Sequence, residues 1–178
     1  MIERSKQRVA AARLAAAARS LLEASTLCAI ATVRRDGSAH VNTAYFAFGD
    51  ALELVWISDP HAQHSRNIRD GKSVAVAVYD SAQAWGAPDR GIQLFGSARE
   101  LVPSAADEAE AVYAHRFPGY AREQFRAYRF YVFRPNRIKL FDERELGGGR
   151  FVTARVKAGG RLSWERTDVV SSRPRASA

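Results

Sequence analysis

The feature that most constrains this chain is a series of short apolar segments cut by turn signals, from residue 27 to 102 and again from 128 to 167. Residues 27–33 read Leu-Cys-Ala-Ile-Ala-Thr-Val, and Arg34-Arg35-Asp36-Gly37-Ser38 follows. Its Asp-Gly pair predicts a tight hairpin into a second strand over 39–48. Gly49-Asp50-Ala51 turns into a third strand over 52–58, which Asp59-Pro60 ends. Further strands are predicted over 73–79 and 91–102, joined by a loop that holds Trp85, Gly86 and Pro88. Residues 128–133 and 138–141 read as two strands separated by an Arg134-Pro135-Asn136 bend, with 151–156 and 162–167 introduced by glycine turns. Many short strands with few helices predict a mostly β, antiparallel barrel with flanking helices.

Three segments break the β rhythm. Residues 5–23 are alanine-rich, and Val9, Leu14, Ala17, Leu21 and Leu22 form a thin helical stripe suited to a partner surface or to capping a barrel end. Residues 61–70 read as a short helix closed by Gly71. Ser104 is a candidate N-cap for a helix over 105–116 that Pro118-Gly119 stop, with a further short piece around Glu123-Gln124-Phe125. The 178 residues favour one domain. It divides into an N-terminal helix (1–24), a barrel (25–170) and a tail (171–178) whose composition is that of a flexible end.

Composition narrows the function. No stretch reaches the ~18–20 apolar residues of a membrane helix, and Arg13 and Arg19 interrupt the segment where a signal-peptide core would lie, so the expected location is cytoplasmic. The single cysteine, Cys28, excludes an internal disulfide and sits where a small buried hydrophobe belongs. The net charge of +8 is carried by scattered arginines, which argues against a nucleic-acid surface and for a basic site that holds a phosphorylated cofactor. There is no dinucleotide fingerprint, phosphate loop or serine elbow motif. His61 and His64, three apart, make too small a set for a metal.

The segment from 52 to 79 carries the chemistry. A strand, then Ser58-Asp59-Pro60-His61, a short helix and another strand bring a helix N-terminus together with Ser58, Gln63, His64, Ser65, Arg66 and Asn67. Nearly all are hydrogen-bond donors, as a phosphate requires. The same residues also suit an ordinary solvated helix.

The order of segments is familiar. Ala31 to Val41 across the hairpin, Trp56-Ile57-Ser58, the stretch from Asp59 to Ile68, Val74 to Tyr79, Gly91 to Ala98 and the closing Tyr131 to Glu145 together resemble the FMN-binding split-barrel family of pyridoxamine-phosphate-oxidase type. The resemblance implies a six-stranded antiparallel split β-barrel, a homodimer and a flavin in the groove between protomers. By position, Asn42, Thr43 and Ala44 would run along the flavin ring, with Ile57 and Ser58 near the phosphate end and Trp56 among the cofactor-binding candidates. Gln63 and His64 would take the phosphate, with Ser65, Arg66, Asn67 and the helix N-terminus compensating, and the phosphate would raise the pKa of His64. Asn42 and Gln93 are candidates to tune the ring. Trp56, Trp85 and Trp164 either stack on it or belong to the core or a dimer contact.

The departures from the family pattern are equally informative. Gln63-His64 stands where the oxidases have Arg-Lys, Phe46 or a neighbour stands where they have a flavin-contacting lysine, and residues 161–166 lack their arginine-rich substrate motif. These features point to an FMN-dependent oxidoreductase of unassigned substrate, with a nicotinamide as candidate electron donor, and not to a pyridoxamine-phosphate oxidase. A deazaflavin in the same groove is the alternative. A non-catalytic flavin or haem protein is the third, with His40, His61, His64 and His115 as haem-ligand candidates.

Overall fold

The computed structural model describes residues 2–71 and 73–170. In chain order these form β1 (Ile2–Ser5), α1 (Ala11–Glu23), β2 (Leu27–Val33), β3 (Ala39–Tyr45), β4 (Ala47–Phe48), β5 (Leu54–Ser58), α2 (Gln63–Arg69) and β6 (Val74–Tyr79). There follow β7 (Arg90–Glu100), α3 (Asp107–Arg116), β8 (Arg129–Asp142), α4 (Glu143–Leu146), β9 (Arg150–Val156) and β10 (Leu162–Val170). Every strand pairing is antiparallel. The order is β1-β10-β9-β8-β7-β6-β2-β3, with β5 on the first half of β8 and β4 beyond it. The sheet does not close, since β3 pairs only with β2. This is the expected split barrel, extended by strands at its β8 flank.

Strand chemistry explains the layers. In β2 and β6, Cys28, Ile30, Thr32, Val74, Val76 and Val78 are buried while Ala29, Ala31, Ala75 and Ala77 are half-exposed, the alternation of a sheet with one wet face. β5 and β8 lack that alternation because both their faces are covered. Leu54, Trp56, Tyr131 and Phe133 point into the barrel core, whereas Val55, Phe130 and Val132 pack beneath α3 with Ala109 and Tyr113. Leu14, Ala18, Leu21 and Leu22 of α1 join the barrel core, so the first helix caps the barrel.

Four details differ from the sequence reading. The first helix starts at Ala11 rather than Ser5, because Ile2–Ser5 pair with β10. The third strand starts at Leu54, since Leu52 has a left-handed φ of 64° within the turn while its side chain stays buried. Ser104 does not cap α3, which begins at Asp107 with Ala106 before it. Arg134-Pro135-Asn136 does not end a strand: β8 runs through it with a bulge opposite the Phe95/Gly96 step of β7. Gly96 permits this, for a Cβ there would lie 2.1 Å from the Arg134 carbonyl oxygen. The tail expected at 171–178 lies outside the described residues. No helix among the described residues is long and apolar enough to cross a membrane.

Candidate functional site

The opening of the barrel lies along β3. Arg34 N–H donates to the Ser38 carbonyl and Phe46 N–H to that of Thr26, which sets the phase of the β2–β3 ladder. His40, Asn42 and Ala44 therefore turn their peptide groups toward β2, while those of Val41, Thr43 and Tyr45 point to the free edge. β5 lies across the gap without hydrogen-bonding to β3. This free edge is about 20 Å long at ~3.3 Å per residue.

At the hairpin end of the edge is a cleft of about 560 Å³ between the β2–β3 turn and α2. Arg34, Arg35, Arg66 and Arg69 line it with Gln63 and Asn67, against only two carboxylates, Asp36 and Asp70. The arginines are held in place. Arg35 makes a two-pronged contact with Asp70 at 3.0 and 3.1 Å, Arg69 pairs with Glu100 at 2.8 Å, and Arg66 donates to Gln63 Oε1 at 2.8 Å and to the His61 carbonyl. α2 has only seven residues, so its dipole adds little and the guanidinium groups supply most of the positive field.

Beside this cleft, His64 is buried with its Nε2 2.7 Å from Ser58 Oγ. Its ring lies nearly parallel to that of His40, with centroids 6.5 Å apart, and Arg34 reaches His40 Nδ1 at 3.4 Å. Burial first, and His40 second, hold the His64 imidazole below its ordinary pKa, with Asp59 pulling the other way. In the protein alone His64 is thus a neutral hydrogen-bonding group, and the expected upward shift requires a phosphate beside it. Gln63 and His64 do not share a face: Gln63 lines the arginine cleft, while His64 turns inward to Ser58.

Ser65 and Asn67 are brought to the same place in a scaffolding role. Ser65 Oγ donates to the Asp59 carbonyl at 2.7 Å. Asn67 accepts from Gln63 Nε2 at 2.8 Å and donates to Thr32 Oγ1 at 2.9 Å, tying α2 to β2. On β3, Asn42 Oδ1 is buried with no hydrogen-bond partner among the described residues, an acceptor beside the free edge. A cofactor that brings both an N–H donor and a phosphate fits these groups.

Other predicted residues lie elsewhere. Trp56 is fully buried and stacked on Tyr131 at 5.8 Å, so it is core and is not available to a ring. Gln93 is three strands from Thr43, joined through Ala77 and Ala29 on the outer face of the sheet. Ile57 turns toward α3, and Phe46 is buried beneath the Arg116 guanidinium. Trp85 is fully exposed, whereas Trp164 carries Arg8 over its ring and donates to Thr167. His61 precedes α2, so it does not share a helical face with His64, and both His61 and His115 are exposed. Among the described residues no three His, Cys, Asp or Glu side chains converge as a metal site would require. Cys28 is buried, which pushes its thiol up to about 12.

Two sets of residues escaped the sequence reading. Arg34 and Arg35 read as turn residues only. The second set is an aromatic group at the far end of the free edge, where Tyr45, Ile57, Tyr113, Phe117, Tyr120 and Phe125 line a cleft of about 380 Å³. The i, i+4 spacing of Tyr113 on α3 and Phe117 just past its end is the signal that announces it.

Residues 14–142 match the pyridoxamine 5'-phosphate oxidase family, and the chain belongs to it. Comparison with curated proteins gives no match. Among solved structures, a heme binding protein from Mycobacterium smegmatis is similar with a TM-score of 0.68 and 18% identity, over 86% of this chain and 61% of that one. The chain thus spans about three fifths of that relative's length. A pyridoxamine 5'-phosphate oxidase-related, FMN binding protein from Nostoc punctiforme has a TM-score of 0.57 and 14% identity, over 87% of this chain and 93% of that one. An F420 reductase is 28% identical with a TM-score of 0.53, over 67% of this chain and 94% of that one. Proteins of this fold thus include one named for FMN binding, one named for heme binding and one named an F420 reductase.

Proposed function

We propose that this chain is an FMN-dependent oxidoreductase acting on a small molecule, with the cofactor held along the free edge of β3. The observation that carries the reading is that edge itself, flanked by an arginine cleft at one end and an aromatic cleft at the other. Arg34, Arg66, Gln63 and His64 would take the phosphate, with Ser58 orienting the His64 imidazole. The outward peptide groups of Val41, Thr43 and Tyr45, together with Asn42 Oδ1, would meet the polar rim of the ring. When bound, the flavin supplies the hydride or single-electron chemistry, and the protein positions it, tunes it and limits access.

A homodimer belongs to the same proposal. The outer face carries the small, half-exposed Ala29, Ala31, Ala75 and Ala77, and Leu27, Val41, Tyr45, Tyr79 and Phe95 on it are 39–62% exposed. A second copy laid on that face would cover the apolar rim and bring a second wall to the β3 edge. A nicotinamide donor is compatible with the open arginine cleft.

One observation favours a second reading, a deazaflavin. The relative named an F420 reductase is 28% identical over 67% of this chain. Haem is less well served, because His64 Nε2 is engaged by Ser58. Mass identification of the cofactor released from the denatured purified protein tests all three. FMN supports the first reading, a deazaflavin replaces it with the second, and a Soret band with released haem overturns both. Reduction of the bound cofactor by NADH or NADPH then tests for turnover.

A further inference from the structure

The aromatic cleft has no part in the phosphate grip, and its construction states what it would hold. Tyr113 and Phe117 lie 4.7 Å apart between ring centroids, Tyr113 meets Tyr120 edge-on at 5.5 Å, and Tyr120 stacks on Phe125 at 5.7 Å. Tyr45 from the end of β3 reaches Phe117 at 5.8 Å. Ile57 lines the same cleft from β5, and Pro118-Gly119 line it from the loop after α3. Such surroundings favour a flat apolar body, which offers its faces and edges to aromatic rings.

The lining also includes one permanent charge. Arg116 lies over the rings of Phe46 and Phe48 at 4.6 and 5.1 Å, and its Nη2 donates to the Leu22 and Ser25 carbonyls. Its Nη1 is buried with no hydrogen-bond partner among the described residues. Among the described residues no acidic one lines the cleft. Glu23 is the carboxylate that acts on this guanidinium, with no ion pair between them among the described residues, so one donor beside the apolar cleft stays available to an anionic oxygen.

We propose that this cleft binds a planar aromatic carboxylate, its rings held by Tyr113, Phe117 and Tyr120 and its charge turned to Arg116. The assignment as substrate rests on the flavin reading, because the cleft sits at the end of the β3 edge away from the arginine cleft. The binding itself does not.

The test is calorimetric titration of the full chain with 2-naphthoate, cyclohexanecarboxylate and 2-naphthol, alongside a separate fluorescence titration with FMN. 2-Naphthoate should bind more than about tenfold tighter than cyclohexanecarboxylate, a difference of ~1.4 kcal/mol. Arg116→Gln should weaken 2-naphthoate by more than about tenfold and 2-naphthol by less than about threefold. Because Arg116 also holds two backbone carbonyls, a second variant is needed. Gly119 lines the cleft and a Cβ on it meets nothing within 4 Å, so the fold accepts Gly119→Phe, which adds bulk at the cleft wall. It should weaken 2-naphthoate binding by more than about tenfold with Tm unchanged. Equal affinity for the planar and non-planar acids, or undiminished binding in Gly119→Phe, overturns the proposal. If FMN binds and 2-naphthoate does not, the cleft proposal falls and the flavin reading stands. If 2-naphthoate binds as described and FMN does not, the reverse holds.

Discussion

The substitution that interrogates the phosphate site most closely is His64→Gln. His64 is buried, bonded through Nε2 to Ser58 Oγ at 2.7 Å and faced by His40. Its pKa is depressed by burial, then by His40, with Asp59 opposing. A phosphate placed beside it reverses the balance and favours the imidazolium, so binding takes up a proton. A hydrogen bond to a charged group contributes about 1.5 kcal/mol in a partly screened site, or roughly tenfold in Kd. FMN should therefore bind roughly tenfold tighter at pH 6 than at pH 8, less what the phosphate's own protonation near pH 6 removes. Glutamine preserves a donor toward Ser58 and cannot titrate. The variant should match wild type at pH 8 within about threefold and lose the gain at pH 6. Flavin fluorescence titration of both proteins at the two pH values separates the protein's proton from the phosphate's. An equal pH slope in wild type and His64→Gln refutes the reasoning.

Further predictions concern the frame around the site. The depressed pKa of His64 makes the cofactor-free protein lose stability as pH falls from the unfolded histidine's range toward the lower folded value. His64→Gln should flatten that part of a urea-melt pH profile. Asn67→Ala removes the buried bridge between Gln63 and Thr32 and should cost about 2 kcal/mol in urea unfolding without cofactor; a loss below about 0.5 would show that Asn67 serves only the ligand. Gly96→Ala drives a methyl into the Arg134 carbonyl at the β8 bulge and should cost about 2–3 kcal/mol, seen as a Tm lower by more than about 4 °C. Asp142 is fully buried, pairs with Arg90 at 3.0 Å and accepts from the Arg144 and Glu145 amides. Asp142→Ala should cost about 3–5 kcal/mol, and a loss under about 1 would deny the pair its structural role.

Much of the fold was legible because local chemistry and packing agree. Alternation in β2 and β6 and the Asp36-Gly37 turn specify the hairpin and its neighbours without help from distant residues. β1 was not legible, since Ile-Glu-Arg-Ser has no strand pattern and becomes a strand only by pairing with β10. Pro135 read as a break because the sequence does not reveal that Gly96, in another strand, accommodates the bulge. The site divides along the same line. Gln63, His64 and Ser58 are close in sequence and come together, as do the β3 residues at the opening. The burial of Trp56 and the outer-face position of Gln93 were not legible, because a residue's facing depends on which sides of its strand are covered. Arg34 and Arg35 gained a role only when α2 folded against their turn.

The most direct test of a flavin along the β3 edge is amide hydrogen exchange, resolved residue by residue by NMR, with and without saturating FMN. The amides of His40, Asn42 and Ala44 are already bonded to β2, whereas those of Val41, Thr43 and Tyr45 face the opening. The account predicts that FMN slows exchange at members of the second set and leaves the first set unchanged. FMN bound tightly with protection elsewhere on the barrel and none at Val41, Thr43 or Tyr45 would contradict it.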